Sequence, residues 1–155
     1  MKKQCRYKTK KKWEQTMKEE TDSLEHNQTW DLVRLPIGKK KFQNKWVYNL
    51  KEEHGGRKKY KSRLVMKGFQ QKKGIDFDEI FSYVVKMTSI RTILILVVAE
   101  YFHLAYLDVK TTFFHRYLEE EIYMQQPQEY EVKGKKKVVC MLMKSLYGLK
   151  QALRQ

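Results

Sequence analysis

Two stretches of the chain, 45–51 and 59–66, alternate in the manner of β-strands and are separated by a short segment carrying Gly55 and Gly56. Alternating runs on either side of a glycine pair predict a β-hairpin with a loose loop. Side chains on a strand point to opposite faces with period two. Trp46, Tyr48 and Leu50 therefore share one face of the first strand, while Lys59, Lys61, Arg63 and Val65 share one face of the second. Three cations on one strand face need either water or an anion opposite them. Solvated cations are the commoner case, and the hairpin alone does not decide.

Around the hairpin the pattern is mixed, which predicts an α+β fold. Residues 1–12 form a basic arm with nothing to bury, either disordered or a poor start to the first helix. From Trp13 to about Glu25, Trp13, Met17 and Leu24 fall on one helical stripe, and Asn27 ends it. A short strand over 29–33 is stopped by Pro36 and Gly38, and 70–82 reads as a loop. Thr88 or Ser89 is placed to cap a helix from Ile90 to about Phe102. Its run of Ile, Leu and Val over 93–98 would suit a buried strand equally well on propensity, and length favours the helix. Further strands are expected over 105–109, 118–126 and 138–143, with a loop over 133–137 around Gly134. At 155 residues one domain is the ceiling, so 13–155 is read as a single unit behind the arm.

The chain has 33 Lys+Arg against 18 Asp+Glu, a formal charge of +15. Such an excess repels itself unless something anionic is near, and nucleic acid is the default partner. A membrane surface fits less well, because the cations are spread along the chain, and the apolar run Ile93 to Ala99 is far too short to span a bilayer. A solvated basic surface with no ligand is compatible with charge alone. Cys5 and Cys140 stand far apart without further ligands at metal spacing, so neither a disulfide framework nor a zinc site is expected. Lysines after Met1 in place of an apolar core argue against a secretory signal, and the expected location is intracellular, cytoplasmic or nuclear.

No phosphate-cradling glycine loop, paired-histidine metal motif or nucleophile beside a base is present. What stands out is Asp108, closing the apolar stretch Ala105-Tyr106-Leu107. A carboxylate at a strand end suits metal coordination. A turn hydrogen bond from such an Asp is the commoner arrangement.

The segment Leu107-Asp108-Val109-Lys110-Thr111-Thr112-Phe113-Phe114-His115 resembles the first catalytic motif of copia-type retrotransposon reverse transcriptases. Upstream blocks agree in order: Asn27-Gln28-Thr29-Trp30, Lys45-Trp46-Val47, Tyr60-Lys61-Ser62-Arg63-Leu64-Val65, Lys67-Gly68-Phe69-Gln70, Gly74-Ile75-Asp76-Phe77, Phe81-Ser82 and Ser89-Ile90-Arg91. Downstream, the block from Leu118 to Pro127 and Ser145-Leu146-Tyr147-Gly148-Leu149-Lys150-Gln151-Ala152 follow suit. Each alone is weak, and their order over nearly everything after Trp13 makes them specific.

The resemblance implies the fingers and part of the palm of a right-hand polymerase, an RNA-directed DNA polymerase acting on an RNA or DNA template-primer and deoxynucleotides. Asp108 would be the first carboxylate of a two-Mg²⁺ site, with the Val109 carbonyl beside it. Lys61 and Arg63 would face the incoming triphosphate. Phe113 would lie under the nucleotide sugar as a steric gate against a 2′-hydroxyl, and Tyr147-Gly148 would approach the templating base, glycine permitting a close contact. Ordinary core packing is the alternative role for Phe113 and Tyr147. Thr112, Arg116 and Tyr83 stand where family members typically carry Ala, Gly and Pro. Because Gln155 comes before the family's second catalytic motif, the expectation is a truncated polymerase segment with nucleic-acid affinity and little prospect of turnover. The alternative is a basic, non-catalytic nucleic-acid-binding remnant.

Overall fold

The computed structural model describes residues 2–53, 55–82, 84–105, 117–132, 134, 138–152 and 154. Among the described residues the architecture is α+β. The first helix, α1 (Lys2–His26), takes in the segment expected to be an arm or a poor helix start. Its inward stripe runs Trp13, Met17, Glu20, Leu24, at the four- and three-residue steps that stack side chains on one helical face. Leu24 and Met17 are buried. The helix stops because Gln28 adopts a left-handed backbone, φ 51°. The Gln28 N–H then donates to Glu25 O at 2.9 Å and the Thr29 N–H to Leu24 O at 3.0 Å, which satisfies carbonyls the helix would leave bare.

The chain turns directly into β1 (Trp30–Arg34), which pairs antiparallel with β6 (Val138–Lys144). β6 pairs antiparallel with β5 (Tyr117–Met124), and the two-residue β2 (Lys41–Phe42) adds to β5 in parallel, giving the order β1-β6-β5-β2. The expected hairpin is a second, two-stranded sheet, β3 (Asn44–Glu53) with β4 (Arg57–Met66), in continuous register from Asn44 opposite Met66 to Glu53 opposite Arg57. Gly55 and Gly56 turn it with φ of 90° and 74°.

The hairpin base, the C-terminal half of α1 and the four-stranded sheet share one core: Leu24, Phe42, Leu64, Met66, Met124 and Leu142 all lie in it, together with Leu146 and Leu149. Three backbone bonds lock the pieces. Met66 N–H donates to Tyr147 O at 2.8 Å, Lys67 N–H to Gln43 O at 2.8 Å, and Gln125 N–H to Phe42 O at 2.8 Å.

The expected apolar helix exists as α2 (Met87–Ala99), but its start differs. Lys86 is the N-cap and makes no side-chain cap, so neither Thr88 nor Ser89 caps the helix. The Thr88 carbonyl instead accepts the Thr92 hydroxyl at 3.0 Å, which places Thr88 inside the first turn. The helix ends before Phe102 because Tyr101 takes a left-handed φ of 54° and the Phe102 N–H closes onto Val97 O at 2.9 Å. No residue of α2 is buried, and Ile93, Ile95 and Leu96 stand more than half exposed. The strand expected over 105–109 lies, apart from Ala105, outside the described residues.

Candidate nucleic-acid interface

The ladder register decides what each face of the hairpin carries. Trp46 opposite Leu64, Tyr48 opposite Ser62 and Leu50 opposite Tyr60 form one face. α1 packs there: Trp13 meets Tyr48 and Tyr60 edge-on at centroid distances of 5.2 and 4.8 Å, and Thr16 Oγ1 lies 2.6 Å from Ser62 Oγ. The opposite face therefore carries Lys51 opposite Lys59, Asn49 opposite Lys61, Val47 opposite Arg63 and Lys45 opposite Val65. No helix among the described residues covers it.

Burial and like charge act together at Lys61. Partial desolvation, followed by repulsion from Arg63 and Lys51, holds its ammonium below the usual lysine range, with Glu20 pulling the other way. An anion set against this face would relieve that repulsion. Glu20 was not foreseen as part of the site. It occupies an apolar position of the α1 stripe, and burial raises its carboxyl above the usual range, while the Leu64 backbone N–H and the charges of Arg63 and Lys61 pull it back down. Its Oε1 is buried with no hydrogen-bond partner among the described residues. The signal was readable, since an acid between Met17 and Leu24 interrupts an otherwise apolar stripe.

Arg63 and Tyr147 are brought together, the guanidinium carbon 4.9 Å from the ring centroid. Gly148 follows in a left-handed conformation, φ 91°, and a Cβ there would overlap the Met66 carbonyl oxygen. The close approach at Gly148 is thus to the end of β4. A buried glutamine pair backs this junction. Gln71 Nε2 donates to Gln151 Oε1 at 3.0 Å, and the Lys150 backbone N–H donates to Gln71 Oε1 at 2.9 Å. Gln151 is fully buried, and the loop carboxylate Asp76 accepts from Lys72 N–H at 2.7 Å and Lys40 Nζ at 3.2 Å. Buried amides with satisfied partners fix one geometry, so the segment 148–152 is held rigidly against the hairpin base. Spacing alone could not reveal Gln71 and Gln151, which lie 80 residues apart.

The remaining site residues named from the sequence, Asp108, Val109 and Phe113, lie outside the described residues. Among the described residues no group of three or more His, Cys, Asp or Glu side chains would hold a metal ion, so they do not form the Mg²⁺ site by themselves. No helix among the described residues is long and apolar enough to cross a membrane.

A family model described as "Reverse transcriptase (RNA-dependent DNA polymerase)" matches residues 27–155. The chain belongs to that family. It is 61% identical over 140 residues to the retrovirus-related Pol polyprotein from transposon TNT 1-94 of Nicotiana tabacum, covering 90% of this chain and 10% of that protein. It is 39% identical over 145 residues to the corresponding polyproteins from transposons RE2 and RE1 of Arabidopsis thaliana, covering 92% of this chain and 10% of each. The chain thus spans about a tenth of the length of these relatives. The resemblance to copia-type reverse transcriptases is borne out, and the hairpin, the Tyr147-Gly148 junction and the glutamine pair all lie within the matched reverse transcriptase segment. No solved structure matches the chain.

Proposed function

We propose that this chain forms the fingers and the start of the palm of an RNA-directed DNA polymerase, and that the Lys59, Lys61 and Arg63 face of the hairpin meets the phosphates of the incoming deoxynucleotide and template-primer. The observation that carries this reading is the row of cations gathered by the ladder register on the hairpin face that no described helix covers, set beside Tyr147 through Arg63. Positive charge fixed where a triphosphate breaks down offsets the negative charge that develops there.

On the family resemblance, Asp108 and the Val109 carbonyl are the proposed ligands of Mg²⁺ and Phe113 the proposed gate against ribonucleotides; the lysine-rich start supports an intracellular location, cytoplasmic or nuclear, as a proposal. Bound Mg²⁺ would activate the primer hydroxyl and stabilise the leaving pyrophosphate. The gate is tested by grafting this segment into an active relative and replacing Phe113 by Val. Ribonucleotide incorporation should rise; unchanged discrimination would leave Phe113 as a packing residue.

A second reading, a basic nucleic-acid-binding module without turnover, is favoured by the +15 charge. The 155-residue polypeptide expressed alone should bind template-primer yet fail to extend it with Mg²⁺ or Mn²⁺, since Asp108 is its one carboxylate assigned to the metals. Extension abolished by Asp108→Asn would overturn that expectation.

A further inference from the structure

A cleft of about 670 Å³ lies between the first half of α1, Tyr48 at the edge of its contact with the hairpin, and Glu129. That volume suits one nucleotide-sized group. α1 lies before the matched segment 27–155, so most of the cleft is built from residues the family model does not reach. Trp13 and Tyr48 wall it and Met17 closes its floor, the Tyr48 hydroxyl donating to Met17 Sδ at 3.3 Å. Although it packs edge-on against Trp13, Tyr48 is half exposed, so ring surface is left open to a ligand.

Charged groups ring the mouth. Lys10 and Glu14, which both line it, pair across one turn of α1 at 3.5 Å. From the far side comes Glu129, whose φ of 75° is left-handed. It is the third residue of a turn closed by the Tyr130 N–H on Pro127 O at 3.1 Å, a position that favours Gly or Asn. Strain of this kind at a non-glycine residue gathers where a side chain must be aimed at a ligand. Its charge also adds to burial in holding the Tyr48 and Tyr130 hydroxyls above their ordinary range.

We propose that this cleft binds one unpaired guanine of a nucleic-acid strand, the base stacking on the open ring of Tyr48 with its edge against Trp13, its N1–H and amino group donating to Glu14 and Glu129, and its phosphate meeting Lys10. Aromatic walls accept any base face. The carboxylates select among bases by chemistry. Guanine offers adjacent N–H donors on its pairing edge, whereas adenine and cytosine set one amino group beside an acceptor nitrogen, and thymine sets one N–H between two carbonyls. A lysine or arginine side chain would also satisfy rings and carboxylates. Lys10 at the rim and the +15 charge disfavour it.

The test compares the intact chain's affinity for a fluorescein-labelled all-thymidine oligonucleotide with that for the same strand carrying one central guanine. Salt is raised to about 0.3 M, where bare phosphate contacts weaken. The guanine strand should bind roughly tenfold tighter, and guanosine monophosphate should compete. Glu14→Gln and Glu129→Gln, both at the rim, should each erase most of that preference by bringing the ratio of the two affinities close to one. Lys61→Glu should weaken both strands alike and preserve the ratio, which separates this cleft from the lysine row. Equal binding of the two strands, a preference that survives both glutamine substitutions, or displacement by a lysine-rich peptide and not by the nucleotide would overturn the proposal.

Discussion

At Gly148 the backbone sits at φ 91°, and an added Cβ would overlap the Met66 carbonyl oxygen and come within 2.7 Å of Val65 Cγ1. Gly68 faces it from the other side, where a Cβ would overlap the Gly148 carbonyl oxygen. Two backbones therefore touch with no room for side chains. Gly148→Ala should lose about 3 kcal/mol of stability from combined strain and overpacking, read as a lower urea midpoint. That glycine was legible as a point of close approach, but its neighbour was not, since nothing in a linear sequence says which strand will arrive there. Cys140 makes a second case. Burial pushes its thiol up to about 12, so its contribution to stability is full below pH 9, the ordinary thiol value, and is lost as pH rises toward 12. The native chain should resist iodoacetamide at this residue near pH 8 and react once unfolded; peptide mass mapping of Cys140 before and after urea decides it.

The hairpin was legible nearly to its ends because period two leaves each side chain only two faces, and its register then placed the cations without further information. β2 escaped notice, since two residues carry no period. α2 was legible as a helix by its length, but an all-apolar run announces no face, and the structure leaves that run in water. Exposed apolar surface of this extent promotes association. Ile93→Lys with Leu96→Glu should reduce concentration-dependent sedimentation without lowering the urea midpoint, because neither side chain is buried. On α1, the raised carboxyl of Glu20 means its ionised form is the costly one in the folded state. Its favourable contribution is present below about pH 4.5 and lost as pH rises through the folded value. Glu20→Gln, which keeps an acceptor for the Leu64 N–H, should therefore raise the urea midpoint at neutral pH and give no gain near pH 4. A loss at neutral pH would mean that attraction to Arg63 and Lys61 outweighs burial.

Over the whole molecule, +15 is dispersed along the sequence, yet folding gathers Lys51, Lys59, Lys61 and Arg63 on one hairpin face and turns the aromatic residues of the same strands toward α1. Net charge raised nucleic acid as an expected class of partner, the ordered blocks announced the family, and only the three-dimensional fold brought Arg63 to Tyr147. The most direct test of this account is the dependence of single-strand affinity on salt, for the native chain and for Lys61→Glu with Arg63→Glu. Each phosphate neutralised contributes about 0.7 to the slope of log affinity against log salt. The native chain should show a steep slope, and the double variant should bind weakly with a slope shallower by roughly 1.4 or more. A flat dependence in the native chain, or an unchanged slope in the variant, would contradict the assignment of this face to nucleic acid.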